Sequence, residues 1–124
     1  MARVNGEKYA LHIAPTPILV HRSYYTGGDI RLKEARNLIN NKNYQDALNV
    51  YKQVSEKAEK PKVKARAAHN VAMVYEVLGE IDLAIEWAQK AITMGNKSSR
   101  HYLAVLQQRK TDDAKAKEQM IELK

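Results

Sequence analysis

The chain has 124 residues, no cysteine, an apolar fraction of 44% and a formal net charge of +7. That length suits one domain with a modest core, and the missing thiols exclude disulfides, thiolate catalysis and cysteine-based zinc sites. The basic excess is spread along the chain, +2 over residues 1–28, +2 over 29–96 and +3 over 97–124, whereas a nucleic-acid surface gathers it into a patch.

In chain order, Glu7 to Ile13 alternates, with Tyr9, Leu11 and Ile13 on one face, as in a half-buried strand. Pro15 and Pro17 interrupt it, and Ile18 to Tyr25 forms a second β-rich run ended by Thr26-Gly27-Gly28. Such a hairpin is marginal alone. Residues 1–28 are therefore expected to be the remnant of a larger upstream β region; leaning on the helices and joining a sheet from another copy, as a homo-oligomer, are the alternatives. The opening Met1 to Gly6 lacks the apolar stretch of a signal peptide, and no run approaches the roughly 20 apolar residues of a membrane span.

From Asp29 the texture becomes helical. Asp29 is a capping residue for a helix to about Asn41, with Leu32, Ala35, Leu38 and Ile39 inward. Asn43 is placed to cap a second, with Asp46 in a box-like position and an apolar stripe of Tyr44, Ala47, Leu48, Tyr51 and Val54. Pro61 opens a third helix that Gly79 ends. Ile81, Ala84, Ile85, Ala88 and Ile92 mark a fourth, stopped by Gly95-Asn96. Tyr102, Val105 and Leu106 mark a fifth, and Thr111 begins a sixth, with Asp112 and Asp113 in its first turn.

Asn43 to Tyr51 and Glu80 to Ala88 share polar, apolar and alanine positions, with Ala47 and Ala84 37 residues apart. A period in the 30s is that of stacked helix pairs. On these residues the chain resembles the tetratricopeptide repeat family, most closely over residues 65–98. There Tyr75, Gly79, Ala84 and Ala91 fall on family positions, while Ala68 stands for its Trp and Asn96 for its Pro. A first repeat covers about residues 28–61, with Lys42 where the Gly should be, and a degenerate third covers residues 99–124. The resemblance implies a mostly α fold: about three antiparallel helix pairs (residues 29–124) in a right-handed superhelix, preceded by the short β segment. A wider resemblance, carried by Ile13 to Pro17 and Tyr24 to Gly28, is to the C-terminal portion of uncharacterised bacterial cell-envelope lipoproteins. It implies an envelope location with the lipid anchor upstream; a cytoplasmic protein is the alternative.

The family's groove positions fall on Asp29, Lys33 and Arg36, then Arg66, His69, Asn70 and Met73, then Arg100, Ala104 and Gln107. The resemblance thus implies a basic concave groove for a protein or peptide, which an acidic ligand would suit. A solvated charged helix face is the competing reading of the same residues. The four histidines, 12, 21, 69 and 101, lack metal-ligand spacing, and no phosphate loop or nucleophile–base set is present. The expectation is a non-catalytic binding scaffold needing no cofactor. A structural envelope part and a helical-repeat RNA binder are the alternatives.

Overall fold

A computed structural model describes residues 23–122. Among them are five helices and no strand: α1 (Ile30–Asn40), α2 (Tyr44–Lys57), α3 (Pro61–Val77), α4 (Ile81–Thr93) and α5 (Ser98–Glu122). The strand assigned to residues 7–13 and the β-rich run to residue 22 lie outside the described residues. Ser23 to Asp29 is non-helical chain leading into α1.

Local chemistry sets the boundaries. The Asp29 carboxylate accepts the Arg31 N–H at 2.8 Å and so caps α1. Pro61 occupies the first turn of α3, where its missing N–H is no loss. Asn43 sits at the start of α2 without donating or accepting a side-chain cap bond, so the expected capping box is not formed.

The turns leaving α1 and α3 have the same construction. Lys42 has φ 63° and Gly79 φ 82°. The next N–H reaches five residues back in each: Asn43 to Leu38 O at 2.8 Å and Glu80 to Tyr75 O at 2.9 Å. The turn after α4 repeats it, with Gly95 at φ 107° and Asn96 N–H on Ala91 O at 2.9 Å. This left-handed C-cap satisfies carbonyls that a helix end leaves open. Lys42 adopts it despite its Cβ, which is why the missing glycine did not prevent the turn.

The C-terminal region departs from expectation. One helix of 25 residues replaces the expected fifth and sixth. Thr111 is no helix start; its hydroxyl donates to Gln107 O one turn back at 3.1 Å. Asp112 accepts from the Gln108 side chain at 3.0 Å, so the two aspartates are mid-helix groups and not first-turn acids. Nothing between Leu106 and Asp113 is a glycine or proline, so a pause in apolar spacing had no backbone breaker behind it.

Extensive contacts run between helices adjacent in sequence: α1 on α2, α2 on α3, α3 on α4, α4 on α5. Loops of a few residues make such neighbours antiparallel. The core follows this order, from Leu32 and Ala35 through Ala47, Tyr51 and Val54 to Val71, Ala72, Val74, Ala84, Ala88 and Leu106. Alanines lie at several helix contacts, letting backbones approach. α3 is the central helix: every residue from Ala67 to Glu76 is buried. No helix among the described residues is long and apolar enough to cross a membrane.

Candidate functional site

On α3, Arg66, His69, Asn70 and Met73 follow spacings of three and four, which places them on one helix face. Of these, only Arg66 reaches solvent. Met73 is 1% exposed, Asn70 0% and His69 8%. The expected open groove is covered here by the chain's own residues 24–27.

Asn70 makes the central contact. Its Oδ1 accepts the Tyr25 backbone N–H at 2.9 Å, and its Nδ2 donates to the Tyr25 carbonyl at 2.9 Å. A residue presents N–H and C=O on the same side when its backbone is extended, so one side-chain amide reads an extended main chain at two points. The match satisfies a fully buried amide that would otherwise be costly.

The neighbouring side chains are held in turn. Tyr24 stacks on the buried Tyr51 ring of α2, with centroids 6.1 Å apart and planes 8° apart. Arg36 of α1 lies over Tyr24 at 5.3 Å and bonds Asn40 at 2.7 Å. Tyr25 meets the His69 ring edge-on at 5.3 Å, and its hydroxyl lies 3.4 Å from Asn96 Oδ1 in the α4–α5 turn. Arg66 lies over Tyr25 at 5.4 Å and donates to Gly27 O at 3.2 Å. The chain then enters α1 through Gly28, at φ +101°, where an added Cβ would stand 3.0 Å from Val63 Cγ2. Only glycine serves there.

Polar contacts continue beneath. His69 Nδ1 is 2.6 Å from the buried Ser99 Oγ, and its ring tilts against Tyr102 at 5.0 Å. Burial pushes the His69 pKa down to about 4, so the ring is neutral at pH 7. Tyr102 donates to Glu76 Oε1 at 2.7 Å, and Arg109 Nη1 binds Oε2 at 2.7 Å. The Glu76 side chain is wholly buried, and this pairing ties α3 to α5. The Tyr51 hydroxyl is buried without a hydrogen-bond partner, and burial raises its pKa.

Beside Tyr25 a cleft of about 450 Å³ is lined by Lys62, Arg66, Met94, Asn96 and Ser98. No carboxylate lines it. Among the described residues, neither Arg36 nor Arg66 has an acidic partner. No group of three or more His, Asp or Glu among those residues is placed to hold a metal ion.

The structure therefore gathers Arg36, Arg66, His69 and Asn70 around one segment. Asp29 is occupied as a cap, and Met73 is core. Lys33, Arg100, Ala104 and Gln107 are exposed, and their side chains make no hydrogen bond or ion pair to the cluster. Sequence reasoning missed Tyr24 and Tyr25 as site residues, having placed them in a β run, and missed Glu76. Signals existed: Asn70 and Glu76 are polar residues inside an otherwise apolar helical stretch, where burial demands a partner.

The chain belongs to the family described as Domain of unknown function (DUF6340), which it matches over residues 33–122. This corrects the resemblance drawn from the repeats: no tetratricopeptide family matches. The shared alanine, tyrosine and glycine positions reflect what any close-packed helix pairs require. The lipoprotein likeness falls with it, and the cell-envelope placement loses the support that it took from that likeness. No curated protein and no solved structure matches the chain.

Proposed function

We propose that this chain is a non-catalytic binding module. It holds an extended stretch of polypeptide on the face made by α1, α3 and the α4–α5 turn. The observation that carries the reading is the pair of 2.9 Å bonds from Asn70 to one residue's N–H and C=O. A side-chain amide aimed at main chain recognises extended polypeptide independently of its sequence, and side-chain recesses around it add selectivity.

Two further features support it. The left-handed turns at Lys42 and Gly79, and the buried Ala47 and Ala84, recur at a spacing of 37. We read α1–α2 and α3–α4 as copies of one antiparallel helix-pair unit, with α5 closing the array. Such arrays present extended faces through nearest-neighbour stacking. The unpaired Arg36, Arg66 and Lys62 give this face positive charge, so an acidic segment is the favoured partner. The hydrogen-bonded His69–Ser99 pair is buried beneath the segment, and we assign it a packing role, so turnover forms no part of the reading.

The test is a panel of fluorescent peptides, acidic, neutral and basic, titrated against the intact chain and against Lys62→Glu/Arg66→Glu. Acidic peptides should bind the intact chain, and the charge-reversed chain should lose at least about tenfold in affinity, the loss of roughly one charge-assisted contact. Equal affinities for the two chains, both folded, would end the acidic-groove reading.

A further inference from the structure

The surface beneath residues 24–27 consists of fitted recesses. The Tyr51 ring and the Arg36 guanidinium bracket one aromatic side chain, Tyr24. Arg66, His69 and Asn96 surround a second, Tyr25, on the very next residue. Asn70 reads the main chain of that second residue, and Arg66 takes the carbonyl two residues further on. Each contact recognises chemistry that does not depend on covalent attachment to α1.

We propose that this surface is selective for an extended segment with two consecutive aromatic residues. Tyr24-Tyr25-Thr26-Gly27 is its tethered occupant, and a partner segment of the same kind displaces it. The inference rests on the peptide-binding reading above and names its ligand.

Three observations support exchange. Residues 24–27 belong to no helix or strand, and the main-chain bonds of Tyr25 and Gly27 go to the side chains of Asn70 and Arg66. Leaving the groove therefore unpicks no helix. The link to α1 passes through Gly27-Gly28, and Gly28 holds φ +101°, a conformation that glycine enters and leaves freely. The side chains that grip the segment sit on helices packed through their own core: Arg36, Tyr51, Arg66, His69 and Asn70 belong to α1, α2 and α3. A short tether keeps the occupant at an effective concentration on the order of millimolar, so a partner must compete with it.

The test uses the full chain and an acetylated synthetic peptide with the sequence of residues 23–28. In one variant Tyr24→Ala and Tyr25→Ala empty the recesses. That variant should bind the peptide at least about tenfold more tightly than the intact chain, because the cis competitor is weakened. Adding Asn70→Ala should abolish the binding. If the emptied, folded variant ignores this peptide but binds an acidic one from the panel, the aromatic selectivity is wrong and the peptide-binding reading stands. If it binds no peptide, both fail. Amide exchange on the unaltered chain decides the matter where the variant does not fold. The Tyr25 amide should exchange at least about a hundredfold faster than the Val71 amide in α3, since local opening precedes global unfolding. Equal protection of the two would mean the segment never leaves, and the proposal would fall.

Discussion

Asn70 shows how much one side chain decides. It is fully buried and spends both amide atoms on Tyr25. Asn70→Ala leaves a backbone N–H and C=O unsatisfied and should destabilise the fold by about 1–3 kcal/mol, read as a lower urea midpoint. His69, beside it, makes stability depend on pH. Its pKa is lowered from 6.5 to about 4 by burial, so the unfolded chain takes a proton that the folded chain refuses. Stability is therefore full above about pH 6.5 and declines as pH falls towards 4, by about 3 kcal/mol in all. Urea unfolding of His69→Gln across this window should show that slope removed. The Asp29 carboxyl titrates separately: bonds from the Arg31 side chain and backbone hold it at about 2, against 3.8 ordinarily. Its stabilising contribution is full above about pH 3.8 and is lost as pH falls from there through 2.

Elements were legible where the backbone signalled them. Asp29, Pro61 and the glycines at 79 and 95 delimit helices as their chemistry requires. Thr111 misled, because a threonine followed by two aspartates looks like a cap whether or not the chain bends there. The structure makes the distinction measurable. Asp29→Ala should cost about 1 kcal/mol, as loss of a real cap does, whereas Thr111→Ala should change stability by less than about 0.5 kcal/mol. Lys42 offers the converse case. It holds φ 63° with a side chain, so Lys42→Gly should stabilise the α1–α2 turn by about 1 kcal/mol, raising the thermal midpoint. At the α3–α5 contact, Arg109→Met would remove the counter-charge of the buried Glu76 carboxylate, which keeps the Tyr102 hydrogen bond, and should cost about 3 kcal/mol. Adding Glu76→Met to it should recover part of that loss in a double-mutant cycle. Glu76 went unnoticed in the sequence because its partners lie 26 and 33 residues away, and helical spacing relates only residues three or four apart.

For the whole molecule, each helix packs mainly on its neighbours in sequence, and the chain lays its own residues 24–27 against α1, α2 and α3. The helical half of that arrangement was readable from alanine and tyrosine spacing. The other half was not. Tyr24 and Tyr25 reach α2, α3 and the α4–α5 turn over separations of up to 71 residues, and no local pattern encodes such a return. The same spacing suggested a family that the comparison did not bear out, since small residues at helix contacts serve packing in any such array.

The central claim is that an extended segment lies on α3, gripped by Asn70 at two points. Nuclear Overhauser contacts in the full chain at neutral pH test it most directly. Cross-peaks are expected between the Tyr24 and Tyr51 rings, and between the Tyr25 amide proton and the Asn70 side-chain amide. Random-coil shifts for residues 24–27, with no cross-peak to α2 or α3, would contradict it.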